Sequence, residues 1–179
     1  ASRRATDELA RERERLALII EGTNAGTWEI DLESGEDQIN TAYAEMLGHD
    51  VQSLRKRIDG DFLNLVHPDD RPAVAASRQA NLDGTRPDYE VEFRMPHRDG
   101  HWVWIYSRGR VGLRDAEGRP LRMSGIHLDI THRKRAEEAL RASQALLDTT
   151  GHVAAVGGWM LDPATQALTW TDETCRLHD

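Results

Sequence analysis

The chain has 179 residues, with 23 lysines and arginines against 31 aspartates and glutamates, which gives a formal net charge of -8. This acidic balance argues against a nucleic-acid partner and an anionic membrane surface, and no apolar run is long enough to predict a membrane span. The single cysteine, Cys175, excludes a disulfide framework and a thiolate metal cluster, and it favours a reducing, cytoplasmic setting.

The N-terminal segment 1–22 is predicted to form an amphipathic helix, because glycine and proline are absent before its last residue. Leu9, Leu16 and Thr23 recur at heptad spacing. Two interpretations stay open. The heptad residues form either a coiled-coil seam with a second copy of the chain or an apolar stripe that packs on the helix's own domain.

A strand, a turn and a short helix are predicted next. Residues 27–32 alternate apolar and polar side chains, as a half-buried strand does. The turn cluster 33–37 leads into a short return strand over 38–40. Residues 41–47 are predicted to form a short helix that ends at Gly48.

A longer helix is predicted within the stretch that ends at Leu82. Residues 50–66 before it are irregular or weakly helical. Its start lies within 67–72, because proline and acidic residues suit the first turn, where amide hydrogens are free and the helix dipole favours negative charge. The sequence leaves open whether Pro68 or Pro72 occupies the first turn.

Three further strands are predicted over 89–95, 101–111 and 121–130, and the turns 99–100 and 115–118 separate them. Such short connections predict an antiparallel meander. Large apolar side chains alternate on both faces of the middle strand, so we expect both faces to be covered. Trp102, Trp104 and Tyr106 lie on one face, and Val103 and Ile105 lie on the other.

The C-terminal part of the sequence repeats the beginning. The Thr131 hydroxyl can cap a second helix, predicted over 132–150, by accepting a hydrogen bond from a free amide. Residues 157–162 then match 26–31, at a repeat distance of about 130 residues, the length of one small domain with its connecting helix. We therefore expect 151–179 to be the truncated start of a second copy.

Four segments in register resemble the PAS fold with its C-terminal PAC motif, in the subfamily with a tryptophan near the first strand. The segments are Gly26-Thr27-Trp28-Glu29-Ile30-Asp31, His67-Pro68-Asp69-Asp70, Asp99-Gly100-His101-Trp102-Val103-Trp104 and Gly125-Ile126-His127-Leu128-Asp129-Ile130-Thr131. The resemblance implies an α+β fold: a five-stranded antiparallel sheet of order 2-1-5-4-3 with flanking helices, plus N-terminal and C-terminal connector helices. The PAS/PAC sensory domain would span 23–131.

The resemblance also implies a function. The domain would be a non-enzymatic sensory module of a multidomain bacterial regulator, of the histidine kinase or diguanylate cyclase/phosphodiesterase type. A ligand or redox signal would pass through Asp129, Ile130 and Thr131, with Trp28 as a further relay residue, into a dimeric connector helix. The expected partners are a second copy of the chain, bound through the terminal helices, and the neighbouring PAS and output domains.

The alternative function is a ligand-free PAS dimerisation and relay module. In that case Phe62, Phe93 and Trp104 would fill the core, and the signal would come from elsewhere.

PAS domains can hold haem, flavin, small metabolites or nothing. The pocket candidates are Asn40, Tyr43, His67, Phe93, Trp104 and His127. Flavin is the preferred cofactor, because Asn40, Trp102 and Trp104 could supply amide and stacking contacts; alternatively, both tryptophans pack between sheet and helices. Haem is disfavoured, since His67, the candidate axial ligand, suits a helix start better. No metal-ligand spacing is present, so no metal site is expected.

Overall fold

The computed structural model of the protein describes residues 2–58, 61–154, 159–161 and 165–170. The chain divides into two compact units, Ala1–Thr131 and His132–Asp179. The elements in chain order are α1 (Ser2–Thr23), β1 (Gly26–Asp31), β2 (Asp37–Ile39), α2 (Thr41–Met46), α3 (Val51–Ile58), a 3-10 helix (Phe62–Leu65), α4 (Arg71–Leu82), β3 (Tyr89–Pro96), β4 (Trp102–Arg114), β5 (Pro120–Asp129), α5 (Thr131–Ala154), β6 (Trp159–Leu161) and β7 (Leu168–Trp170).

The first unit contains a five-stranded sheet of order β2-β1-β5-β4-β3, in which all neighbouring strands are antiparallel. The predicted α+β fold and strand order are therefore confirmed. The turns that join β3 to β4 and β4 to β5 contain Gly100 and Gly118, whose φ angles are 92° and 82°. Glycine adopts these positive φ angles without the steric penalty of a Cβ atom, so the meander closes with short connections.

Helices α2, α3 and α4 supply side chains to the core on one face of the sheet, which we call the inner face. The fully buried apolar side chains come from both layers: Leu47, Leu54 and Val74 on the helical side, and Phe93, Met95, Ile105 and Met123 on the sheet. Each such side chain contributes about 1.5–3 kcal/mol when it leaves water. The hydrophobic core of the domain therefore lies between the inner face of the sheet and these helices.

Helix α4 begins at Arg71, so Pro72, and not Pro68, lies in its first turn. The residue before it, Asp70, makes no side-chain capping bond. Its carboxylate accepts hydrogen bonds from the backbone N–H, Nε and Nη2 of Arg94 on β3, at 2.9, 2.8 and 2.7 Å. This pair fixes the start of α4 against β3.

The two long helices, α1 and α5, have 22 and 24 residues. Each exposes two leucines at heptad spacing: Leu9 and Leu16 on α1 are 55% and 50% exposed, and Leu140 and Leu147 on α5 are 61% and 69% exposed. Among the helices in the described ranges, none combines the length and apolar character that a membrane span requires.

In the second unit, β6 and β7 form an antiparallel hairpin that pairs Trp159 with Trp170 and Leu161 with Leu168. The hairpin of β1 and β2 pairs Trp28 with Ile39 in the same way. The two hairpins have the same register: each residue pair of β6 and β7 corresponds to a pair of β1 and β2 at the same sequence offset. The segment 171–177, predicted as the short helix of the second copy, lies outside the described residues.

Candidate functional site

A partly open cavity of about 30 Å³ lies between the inner face of the sheet and the helices of the first unit. This volume has room for about one to three water molecules. The lining residues are Trp28, Ile30, Asp37, Ile39, Tyr43, Ile58, Phe62, Arg78, Tyr89, Met123 and His127.

One row of paired residues crosses all five strands beside the cavity. In order across the sheet it consists of Ile39, Trp28, Gly125, Gly109 and Tyr89. A Cβ atom on Gly109 would lie 2.7 Å from the Trp28 ring. Because the two central residues are glycines, the indole ring packs against the sheet backbone and meets the Tyr89 ring edge-on, with ring centroids 5.9 Å apart.

Unpartnered polar atoms cluster around this cavity. Within the described part of the chain, the buried side-chain atoms without a hydrogen-bond partner are Trp28 Nε1, Arg78 Nε, Tyr89 Oη, Ser107 Oγ and His127 Nδ1. Four of these residues line the cavity, and Ser107 pairs with His127 across β4 and β5. A buried polar group without a partner costs about 1–3 kcal/mol. Their convergence indicates a site for a polar guest, either ordered water or a ligand.

Burial shifts the pKa values of the titratable side chains that line the cavity. It raises the pKa of Tyr89, although the neighbouring Ser107 hydroxyl and the positive charge of Arg78 lower it in part. Burial lowers the pKa of His127 to about 3, so this imidazole is neutral at neutral pH. Burial also raises the pKa of Asp37, while the positive charge of Arg78 acts in the opposite direction.

Two of the predicted pocket residues, Tyr43 and His127, line the cavity. Their rings meet edge-on with centroids 4.5 Å apart. Phe93 is fully buried and packs beside His127, with ring centroids 5.7 Å apart, but it is not part of the lining.

Asn40 does not supply a free amide to the cavity. Its Oδ1 accepts hydrogen bonds from the backbone N–H groups of Thr27 and Tyr43, at 2.8 and 3.0 Å, and its Nδ2 donates to the carbonyl of Ala25 at 3.0 Å. The side chain therefore caps α2 and joins it to the start of β1. The expected cofactor contact from Asn40 is replaced by this structural role.

Trp104 and His67 also lie away from the cavity lining. Trp102 and Trp104 alternate with the buried Val103 and Ile105, so their side chains lie on the opposite face of β4 from the cavity. Trp102 is 41% exposed, which contradicts the expectation that both faces of this strand are covered. The His67 ring meets Trp102 edge-on, with ring centroids 4.5 Å apart.

The cavity therefore does not fit a flavin or a haem. The three side chains expected to hold a flavin, Asn40, Trp102 and Trp104, do not converge. The cavity of about 30 Å³ is also far below the roughly 300–1,000 Å³ of sites for such ligands. For metals, the described residues contain no group of three or more histidine, cysteine, aspartate or glutamate side chains that could hold an ion.

The family model described as "PAS fold" matches residues 36–127. The chain belongs to this family. Among curated proteins, it is 34% identical to the sensor protein FixL of Bradyrhizobium diazoefficiens over 78% of this chain. It is 29% identical to a blue-light-activated histidine kinase of Brucella anthropi over 73% of this chain. The chain spans 27% and 25% of the lengths of these two relatives.

Solved structures agree with this assignment to the PAS family. A sensory box histidine kinase/response regulator from Burkholderia thailandensis has 34% identity and a TM-score of 0.62, with 74% of this chain and 97% of that chain covered. The N-terminal domain of a diguanylate cyclase with PAS/PAC sensor from Marinobacter aquaeolei has 26% identity and a TM-score of 0.51, with 62% and 98% covered. These relatives support a role in sensory signal transduction.

In this PAS domain, hydrogen bonds join the end of β5 to β4. The Ile130 N–H donates to the Trp104 carbonyl at 2.9 Å, and the Trp104 N–H donates to Thr131 Oγ1 at 2.9 Å. The Thr131 hydroxyl, which the sequence predicts as the cap of α5, thus accepts a hydrogen bond from β4. The Trp104 amide lies one residue beyond the last strand pair, Ile105 with Asp129, and takes the hydroxyl as its acceptor. The Asp129 carboxylate instead accepts from the Thr131 N–H at 2.8 Å.

Sequence reasoning missed Arg78, Tyr89 and Asp37 as cavity residues of the PAS domain. Gly109 and Gly125 carried a usable signal, because a glycine inside a strand often marks the close approach of another group. Here that group is the Trp28 ring.

Proposed function

We propose that residues 23–131 are the sensory domain of a multidomain signalling protein, and that residues 132–150 are its connector to the next domain. The domain itself is not an enzyme; catalysis would belong to other parts of such a protein. The names of the relatives, which are sensors, histidine kinases and a diguanylate cyclase, support this class of function.

The observation that carries the proposal is that a single strand, β5, serves both the cavity and the start of α5. Met123 and His127 of β5 line the cavity, and the strand ends at Asp129, where α5 follows from Thr131. A displacement of β5 by a change in the cavity would strain the hydrogen bonds of Ile130 and Thr131 to Trp104. The signal would then enter α5 at its first residue.

We further propose that the protein acts as a homodimer through its terminal helices. The support is the pair of exposed leucines at heptad spacing in each helix, Leu9 with Leu16 and Leu140 with Leu147. A second copy of the same chain offers the same apolar surface.

The second unit is proposed to begin another PAS domain. The hairpin pairing of Trp159 with Trp170 repeats that of Trp28 with Ile39 at the same residue offset, which supports the repeat inferred from the sequence.

The test of the signalling route is the output activity of the full-length parent protein. We expect Asp129→Ala and Thr131→Ala each to change the ratio of stimulated to basal output. Asp115→Ala is the control, because Asp115 also accepts a backbone hydrogen bond from residue 117 but lies in the turn between β4 and β5. Asp115 accepts further hydrogen bonds from the backbone N–H and Nε of Arg119, so this variant should lower stability without changing the output ratio. Unchanged output in both Asp129→Ala and Thr131→Ala would show that the route is wrong.

A ligand-free relay module is the second candidate function. The small cavity and the fully buried Phe93 support it. Native mass spectrometry of the freshly purified protein separates the two candidates, since an adduct mass favours the sensor and the bare chain mass favours the relay.

A further inference from the structure

We propose that the cavity binds a short-chain carboxylate of the formate or acetate class, held by Arg78 with Trp28 and Tyr89 as further hydrogen-bond donors. The inference rests on the proposed sensory function and specifies its ligand.

The polar atoms without partners indicate which hydrogen-bonding groups a ligand of this cavity would carry. Trp28 Nε1 and Arg78 Nε can only donate hydrogen bonds, and the Tyr89 hydroxyl can donate as well. The Ser107 hydroxyl and the His127 imidazole can each supply a further donor. Two of these groups require an acceptor and the others can donate, so a ligand with several acceptor positions can satisfy the polar groups of the lining. A carboxylate has two oxygens with about four lone-pair sites, which matches that requirement.

The positive charge of Arg78 also favours a negatively charged ligand. Arg78 is the arginine of the cavity lining, and its side chain is 25% exposed. Its nearest carboxylate partner, Asp61, lies 3.9 Å from Nη1, too far for a hydrogen bond. The other acidic neighbour, Asp37, also lines the cavity; burial raises its pKa and disfavours its charged form, while the positive charge of Arg78 acts in the opposite direction. The Nε atom of Arg78 has no hydrogen-bond partner in the described part of the chain. The guanidinium therefore retains donors for an anion.

The size and walls of the cavity limit the carboxylate to a small one. A volume of about 30 Å³, with room for about one to three water molecules, admits a ligand of only a few covalently joined non-hydrogen atoms. The lining also contains five apolar side chains, Ile30, Ile39, Ile58, Phe62 and Met123, and the Arg78 guanidinium lies over the Phe62 ring at 5.7 Å from its centroid. A methyl group can pack there, whereas a second carboxylate would lose its hydration without a new partner.

The test follows the indole N–H resonance of Trp28 by proton–nitrogen NMR, assigned with the variant Trp28→Phe. Sodium formate and sodium acetate are titrated against a sodium chloride series of equal ionic strength. We expect a saturable shift of this resonance with formate or acetate and none with chloride. Arg78→Gln should weaken binding about tenfold or more, the loss expected for a charge-assisted hydrogen bond.

Arg110→Gln is the matched control. Arg110 pairs with Asp88 at 3.8 Å, nearly the distance between Arg78 and Asp61, but it is not part of the cavity lining. We expect this variant to bind formate and acetate as the unaltered protein does. Tyr89→Phe, which keeps the ring and removes one donor, gives a second test and should also weaken binding.

Two results would overturn the inference. One is a resonance that never saturates or that moves equally with chloride, which means that the cavity holds water only. The other is equal affinity in Arg78→Gln and Arg110→Gln. Either result leaves the sensory function standing if Asp129→Ala and Thr131→Ala still change the output of the parent protein, so the two failures are distinguishable.

Discussion

Gly109 and Gly125 are paired directly across β4 and β5, and a Cβ atom on either one would lie 2.7 or 2.5 Å, respectively, from the Trp28 ring. Such distances are shorter than any van der Waals contact. The two glycines therefore determine how closely the indole approaches the sheet, and with it the position of the Nε1 atom beside the cavity. The position of Trp28 on β1 therefore depends on β4 and β5 as well.

Gly109→Ala should destabilise the domain. The added methyl group would meet the Trp28 ring and, at 2.6 Å, the carbonyl oxygen of Ser124, so neither neighbour can retain its place. We expect the free energy of unfolding to fall by about 2 kcal/mol, as for overpacked cores, measured by urea denaturation. Gly112→Ala on the same strand is the control, because nothing lies within 4 Å of its Cβ position and its change should stay within about 0.5 kcal/mol. Equal losses in the two variants would contradict this explanation.

Asp70→Ala tests whether the tie between α4 and β3 stabilises the fold. The variant leaves the Arg94 guanidinium and backbone N–H without the acceptor that they share. The side chains of the pair are only 24% and 15% exposed, so we expect a loss of about 2 kcal/mol in chemical denaturation. Asp88→Ala removes more exposed pairs with Arg108 and Arg110 and should change stability by about 0.5 kcal/mol or less. If Asp70→Ala lowered the free energy of unfolding no more than Asp88→Ala does, the pair of Asp70 and Arg94 would not stabilise the fold more than an exposed ion pair.

The buried imidazole of His127 should make stability depend on pH. Burial lowers its pKa in the folded domain from the ordinary 6.5 to about 3, so below pH 6.5 the unfolded chain binds a proton that the folded domain does not. The free energy of unfolding contributed by this group is complete above pH 6.5. It should fall by up to about 1.4 kcal/mol per pH unit as the pH drops towards 3.

The measurement compares urea denaturation of the unaltered protein and of His127→Gln between about pH 6.5 and 5, above the range in which exposed carboxylates titrate. Stability should decline with decreasing pH in the former and change less in the latter. Parallel curves would show that another group causes the pH dependence.

The sequence predicted most of the fold but only part of the site. Period-two alternation located the strands, and the resemblance supplied their order. Alternation also separated Trp104 from Val103, but it does not say which face is inner, and the larger side chains were wrongly expected to line the pocket. Arg78 was missed because a charged residue on a helix is most often solvated, and only the tertiary structure places it at the cavity.

Thr131→Ala addresses the junction at which β5 ends and α5 begins. The variant removes the acceptor of the Trp104 N–H, which then has to open to water, so this amide should exchange its hydrogen faster. We expect a loss of about 1 kcal/mol in stability, together with faster exchange at Trp104 and at Ile130, whose N–H donates to the Trp104 carbonyl. Thr131→Ser keeps the hydroxyl and should restore slow exchange at Trp104. If the exchange rate at Trp104 were the same in the alanine and serine variants, the hydroxyl would not be what holds the start of α5 to β4.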